Sequence, residues 1–421
     1  MGARTLAEWL SWQESLHPRW IDLDLARVRS VASRLPIRPP PGAVFTVAGT
    51  NGKGSTVALL EGFLASGGRR VATYTSPHLL RYNERIRVGG AAVADGELIA
   101  AFEQVEAARD GSPLTFFEFG TLAALLHFSS SACDAWVLEV GMGGRLDAVN
   151  IVDADIAVIT TIGLDHQEYL GDTIDAIAAE KAGIMRTGRP VIFGDWPVPR
   201  AIRSVATDLG ARLHSLGTHF DFTPDRPQWR WRGASAACAG LPWPAGASLA
   251  QLRNSSAALA AIEQFDAALL EESAAIDTVI AVARQPGRFH VVERIQQWVL
   301  DVAHNAQAVE TLRAQLETLP AAVETTIVIG ILGDKSLDAF VAELGQQVSR
   351  WICCTVDDPR ARNAAAIAAR LRELGCRSVE TAGAPEQAFE VAMALTPPTG
   401  RILVCGSFRI VGPCLGWLGI Y

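Results

Sequence analysis

The chain has 421 residues, 49% of them hydrophobic, which is more than one hydrophobic core usually serves and too apolar for general disorder, so two domains are expected. Asp and Glu outnumber Lys and Arg by 45 to 37, a formal net charge of -8, which gives no field to draw a polyanion and argues against nucleic acid as the partner. Seven cysteines, two of them adjacent at 353 and 354 and none in C-x-x-C spacing, fit neither a disulfide framework nor a zinc site. They read as reduced thiols of a cytoplasmic protein, most of them buried in strands.

At the N-terminus, "MGARTLAEWLSWQ" lacks an apolar core of signal-peptide length, and Leu6 stands where a myristoylation signal needs Ser or Thr. Neither export nor a lipid anchor is expected from that end. "AVFTVAG" (43–49) predicts a strand that runs through "VAGTNGKGST" (47–56) into an apolar-faced helix from Thr56 to Ala65, which the glycines at 67 and 68 stop before "RRVATYTS". Strand, helix, strand is the signature of a parallel sheet. "AWVLEVG" (135–141) and "ADIAVITTIG" (154–163) are continuous apolar runs, as strands covered on both faces require. Asp172 or Thr173 is placed to cap the helix "IDAIAAEKAGIM".

Between about 196 and 250 the pattern loosens into Pro, Trp and Gly ("RPQWRWRGASAACAGLPWP") and reads as a small antiparallel excursion on the first domain. Pro286 and Gly287 mark a boundary, after which alternation restarts: strand at 297–301, helix at 306–319, strand at 326–332, helix at 336–347, then "RWICCTV", "AAAIAARLREL", "SVETA", "PEQAFEVAMAL" and "RILVCGS". Five strands with intervening helices predict a second doubly wound unit. The expected division is therefore 1–286, a linker at 287–296, and 297–421. The final "ILVCGSFRIVGPCLGWLGIY" holds Arg409, Pro413 and four glycines, which make a poor membrane span; it reads as a core strand followed by an irregular tail. Ligands of such sheets bind beyond the carboxyl ends of the strands, so the cleft between the domains is the expected site.

The loop at 47–56 nearly matches the phosphate-binding pattern G-x-x-x-x-G-K-[ST], but Val47 takes the first glycine position and Gly54 separates Lys53 from Ser55. Its context is that of a phosphate cradle, since glycines let backbone N–H groups approach oxygens and the helix N-terminus adds its dipole. A plain glycine turn is the competing reading. Ser76 in "YTSPHL", Glu139 in "LEVGMGGRLDAVN" with Arg145 and Asp147 behind it, and Asp165 with His166 in "TTIGLDHQEYLG" all fall at predicted strand ends. Parallel strands deliver those ends to one rim, and Mg²⁺ needs oxygen ligands beside polyphosphate. Lys181 beside Glu180 in "EKAGIM" reads as an ordinary solvated helix lysine, and Asp301, His304 and Asn305 in "LDVAHNAQA" as the cap of the next helix.

Read together in this order, "VAGTNGKGST", "YTSPHLLRYNERIRV", "TFFEFGTLAAL", "LEVGMGGRLDAVNIVDAD", "LDHQEYLG", "EKAGI", "PGRF" and "DVAHN" resemble the family of bacterial bifunctional folylpolyglutamate synthase/dihydrofolate synthase, within the Mur ligases. The resemblance runs from "IDLDLARV" (21–28) to "CGSF" (405–408). It implies an α/β fold: a P-loop-containing doubly wound domain of the Mur central type and a smaller Rossmann-like C-terminal domain. It also implies an ATP-dependent ligase that adds L-glutamate to dihydropteroate and to reduced folates through an acyl phosphate, as a cytoplasmic monomer with no membrane or nucleic-acid partner.

Carried over residue by residue, Thr50, Asn51, Gly52, Lys53, Gly54, Ser55 and Thr56 would hold the ATP phosphates, and Ser76, Glu139 and His166 two Mg²⁺ ions. Lys181 would be carbamylated, which turns a cation into an oxygen ligand. Asn254, Arg288 and Asp301 match further ATP contacts, and His304 and Asn305 would face the nucleotide or acyl phosphate. Pterin contacts are expected from Asp22, Leu23 and Asp24, from Thr115, Phe116, Phe117 and Glu118, and near Leu146. A monovalent cation such as K⁺ belongs to the same expectation. Arg409 stands where the family pattern has His. A Mur-type ligase acting on a nucleotide-linked cell-wall precursor is the alternative, and a P-loop kinase or ATPase a further one.

Overall fold

The computed structural model describes residues 4–244, 246, 248–283 and 285–420. The described residues of Met1–Pro77, Tyr82–Ala245 and Gln251–Ala283 form one compact unit, and those of His78–Arg81, Gly246–Ala250 and Arg284–Tyr421 another.

In the first unit the strands are β1 (Ala43–Ala48), β2 (Val71–Tyr74), β3 (Ile86–Val88), β4 (Ala91–Ala92), β5 (Ala135–Glu139), β6 (Ile156–Ile159), β7 (Pro190–Phe193) and β8 (Arg212–Ser215). They form one sheet in the order β4-β3-β2-β5-β1-β6-β7-β8. β3 and β4 pair antiparallel at one edge; the other neighbours are parallel. Alternation buries both faces: along β5, Trp136 and Leu138 enter one core and Ala135 and Val137 the other. All five of its residues, Glu139 included, are buried. The β1 loop feeds the helix Lys53–Ser66, which Gly67 ends. Thr173, not Asp172, caps the helix Ile174–Ala182 by accepting from the Ala176 N–H.

Residues 221–242 form the antiparallel excursion as β9 (Asp221–Asp225), β10 (Gln228–Arg232) and β11 (Ala237–Pro242). Trp229 and Trp231 on β10 alternate with exposed Gln228, Arg230 and Arg232, and both tryptophans pack with Leu259 and Ile262 of the helix Leu249–Asp266.

The second unit carries β12 (His290–Glu293), β13 (Gln297–Asp301), β14 (Thr325–Ile329), β15 (Arg350–Cys353), β16 (Val379–Thr381) and β17 (Arg401–Cys405), in the order β12-β13-β17-β14-β15-β16. The expected five parallel strands are joined by β12, formed by residues expected to be linker and paired antiparallel with β13 through a tight turn at Arg294–Gln296. The tail is a second correction: Phe408–Trp417 is a helix capped by Ser407, with Pro413 inside it. Gly412 serves close packing, since a Cβ there would overlap the Leu79 carbonyl. All seven cysteines are free thiols, but β11, β15 and β17 hold only Cys238, Cys353 and Cys405. Burial pushes the Cys353 and Cys354 thiols up to about 12, so neither is a ready nucleophile. No described helix is long and apolar enough to cross a membrane.

Candidate nucleotide and metal site

β1 lies between β5 and β6, and its loop opens at the carboxyl edge of the sheet. Gly49 (φ 152°) and Gly52 (φ 87°) hold positive φ, where side chains are strained. Gly52 also has no room for one: a Cβ there would overlap Oδ1 of Asn254, brought in by the helix Leu249–Asp266. The loop is pinned to the end of β6. Thr50 N donates to Thr161 O at 2.8 Å, Asn51 N to Thr161 Oγ1 at 3.1 Å, and Thr160 Oγ1 to Asn51 O at 2.6 Å. Thr50 Oγ1 donates to Gly163 O at 3.1 Å and accepts from Gly163 N at 3.0 Å.

Lys53 folds back over the loop, its Nζ donating to the carbonyls of Gly49 (3.0 Å) and Thr50 (3.3 Å). A phosphate on the loop would offer that ammonium a charged acceptor in place of neutral ones. Thr56 Oγ1 is buried with no protein partner, an orphaned hydroxyl in the first turn of a helix that faces the loop.

The neighbouring strand ends meet at the same edge. Ser76, after β2, donates its N–H to Glu139 Oε2 at 3.1 Å, at the end of β5, and Glu139 is 5% exposed. Asp147, 2% exposed, accepts from Met142 N at 2.8 Å and Val149 N at 3.0 Å. Burial pushes its carboxyl up to about 7 against those donors and the Lys53 charge. Lys181, 3% exposed, is pushed the other way: burial first, then the like charge of Lys53, bring its amine down to about 7, opposed by Asp165 and Asp147. Two lysines and two aspartates thus share one electrostatic neighbourhood. The approach is enforced by Gly144, whose Cβ would lie 2.8 Å from Glu180 O and 3.1 Å from Lys181 Cα. His166 holds φ 51° at the head of the helix Gln167–Leu170, its N–H donating to Asp165 Oδ1 at 2.9 Å. Asp110, Ala132 and Phe289 share this left-handed backbone, so the conformation alone assigns His166 no role.

Among the described residues no group of three or more His, Cys, Asp or Glu side chains stands close enough to hold a metal ion alone. A divalent ion at this rim would draw on one carboxylate, hydroxyls and substrate phosphates, as Mg²⁺ commonly does, and buried Glu139 beside Ser76 and the orphaned Thr56 hydroxyl fit that role.

The residues expected near a pterin have internal work. Arg27 ties Asp22 (2.9 Å) to Glu118 (2.9 Å). Glu118 also closes a capping box with Thr115 on the helix Phe116–Ser130, and Asp24 caps the helix Leu25–Ala32. Arg27→Ala should leave Glu118 buried and unpaired at a cost of about 3 to 5 kcal/mol, checked by denaturant unfolding; an unchanged midpoint would contradict the pairing. Phe116 stacks on Trp20 at 5.8 Å and 14°, while Phe117 lies against Tyr74 at 5.8 Å and covers Gly141. Leu23 and Leu146 pack half-buried on the first core.

In the second unit β13 ends at Asp301, whose carboxylate accepts from Phe289 N and Ala303 N, each at 2.7 Å. Burial raises its pKa although Arg288 opposes it. His304 Nδ1 lies 2.8 Å from Val302 O, and Asn305 caps the helix Ala306–Leu316. Sequence reasoning missed Asp358, 1% exposed in its side chain, which Arg360 holds at 3.1 Å and Arg409 at 3.4 Å. The only signal was the charged run "DDPRAR" after β15.

Residues 47–222 match the Mur ligase middle domain and residues 287–408 the Mur ligase glutamate ligase domain. The chain is 41% identical over 409 residues to the dihydrofolate synthase/folylpolyglutamate synthase of Escherichia coli K12, spanning 97% of this chain and 94% of that one. The solved structure of E. coli FolC in complex with DHPP and ADP superposes with a TM-score of 0.92 at 41% identity, over 99% of this chain and 98% of that one. A bifunctional folylpolyglutamate synthase/dihydrofolate synthase with Mn, AMPPNP and L-glutamate bound superposes at 0.90 with 39% identity, over 99% and 98%.

Proposed function

The chain belongs to the dihydrofolate synthase/folylpolyglutamate synthase family of Mur-type ligases, and from that premise we propose that its strand-end rim binds MgATP for the ligation of L-glutamate to dihydropteroate and to reduced folates. The chain is an ATP-dependent folate–glutamate ligase. The observation that carries the site assignment is the meeting of Lys53, Lys181, Asp147 and Asp165 in one neighbourhood at the loop that opens the helix Lys53–Ser66.

In this reading, the segment Thr50 to Thr56 cradles the phosphates at the N-terminus of its helix, the Thr50 and Asn51 N–H groups being held by Thr161 and Asn254 lying against the loop. Lys53 leaves its two carbonyls for the transferred phosphate. Ser76, Glu139 and His166 hold two Mg²⁺ ions, whose charge offsets that of the polyphosphate. A pterin-linked carboxylate oxygen, of dihydropteroate itself or of a reduced folate's terminal glutamate, attacks the γ-phosphorus and ADP leaves. The glutamate nitrogen then attacks the acyl carbon, loses a proton and displaces phosphate. Positioning and charge stabilisation supply most of such a rate. Arg288, Asp301, His304 and Asn305 match the family's contacts to the nucleotide and acyl phosphate, and K⁺ completes the ion set. Phe116, Phe117 and Leu146 offer apolar faces to the pterin, on a frame held by Asp22, Leu23, Asp24, Thr115 and Glu118. The enzyme works as a cytoplasmic monomer without nucleic-acid or membrane partners.

Lys181 is carbamylated in this reading. Only a neutral amine attacks the carbon of CO₂, and an amine with a pKa of about 7 is half neutral at neutral pH, where an ordinary lysine is charged in all but about 0.04%. The carbamate should therefore form above pH 7 and fade below it. Carbon-13 NMR with labelled bicarbonate should show a carbamate signal at pH 8 that is lost by pH 6; a signal absent at pH 8 would contradict the modification. To separate the folate from the cell-wall reading, phosphate release from MgATP should require dihydropteroate and glutamate together. Release supported instead by UDP-linked substrates would favour a Mur-type ligase.

A further inference from the structure

Among the described residues Trp196 is 71% exposed, well beyond the exposed aromatics Trp20 at 43% and Tyr169 at 41%, and nothing in the site derived above uses it. It stands just past β7, at the carboxyl edge where the phosphate loop opens. Its segment is fastened to that loop twice. Gly194 N donates to Ile159 O at 2.9 Å and a Cβ on Gly194 would lie 3.1 Å from Thr160 O, while Thr160 Oγ1 donates to Asn51 O. Asp195 pairs with Arg253 at 3.0 Å, and the next residue, Asn254, lies against Gly52. On the far side, Trp196 Cδ1 is 3.6 Å from where a Cβ of Gly217 would stand, which leaves an open ring face.

Only β6 separates β1 from β7, so their carboxyl ends lie about 10 Å apart, two strand spacings. A nucleotide whose phosphates occupy the β1 loop and whose ribose crosses the end of β6 carries its base over the end of β7. Every nucleobase has a π-face, and an exposed indole is a stacking surface for it.

We propose that Trp196 is the platform on which the purine base of the nucleotide stacks, a positioning residue for ATP; the inference rests on the MgATP reading of the rim. The Asp195–Arg253 pair holds the platform in register with the phosphate loop. Isothermal titration of wild type, Trp196→Ala and Trp196→Phe with MgAMPPNP and with magnesium tripolyphosphate tests it. Trp196→Ala should weaken MgAMPPNP by about 5- to 100-fold, the loss expected for one base–aromatic stack, and leave tripolyphosphate unchanged. Trp196→Phe should stay near wild type, and in turnover Trp196→Ala should raise KM for ATP with kcat retained. Because the side chain is exposed, the melting temperature should not move. Unchanged AMPPNP affinity in Trp196→Ala, or an equal loss of tripolyphosphate, would overturn the platform. A wild type that binds neither probe would instead overturn the MgATP reading together with it.

Discussion

Lys53→Ala is expected to lower kcat by at least about 10² to 10³, the range seen when one preorganised charge-stabilising donor is removed, while the fold stays intact. The fold survives because the Lys53 ammonium donates to the Gly49 and Thr50 carbonyls of a partly exposed loop, and the loop is held by separate bonds to Thr160, Thr161 and Gly163. The variant has a second readout. Lys53 is a like charge that lowers the Lys181 pKa, so its loss lets that pKa rise and shifts carbamate formation to higher pH. Near-normal glutamate addition by a folded Lys53→Ala protein would remove Lys53 from the chemistry.

Lys181→Ala is expected to be inactive and partly rescued by millimolar acetate or formate. The variant removes the long stem that would carry the carbamate oxygen to the rim, and a small carboxylate can enter the space left behind to restore an oxygen ligand. Lys181→Arg should not be rescued, because guanidinium stays charged and fills the space. Kinetics with and without added carboxylate read the difference. Full activity of Lys181→Ala with no response to carboxylate would exclude the carbamate.

The first fold elements were legible because they are local. "AVFTVA" is an all-buried strand, and the glycines at 49 and 52 meet a backbone need that only glycine serves without strain. The folate–glutamate ligase reading was legible through motifs in order along the chain. The site's electrostatics were not. Lys181 read as a solvated helix lysine because nothing near it in sequence says that the glycine-rich loop at 141–147 descends onto its helix at Gly144. Burial first and then Lys53 lower its pKa, against Asp165 and Asp147, and only the strand order brings these residues together.

The pterin-side acids illustrate the converse. Asp22 and Glu118 carry family meaning in sequence, yet Arg27 binds both, a pairing across 91 positions for Arg27 and Glu118 that spacing does not reveal. The C-terminal helix was missed because Pro413 and the glycines around it look like breakers. Gly412 is instead a close-approach position beside Leu79, and packing overrides the low helix propensity.

The most direct test of the central claim uses the purified full chain with MgATP, labelled L-glutamate and either dihydropteroate or a reduced folate, with products separated by glutamate number. The account predicts incorporation of label into both substrates, one ADP released per glutamate added, and loss of both activities in Lys53→Ala. ATP hydrolysis that proceeds without label entering either substrate would contradict it.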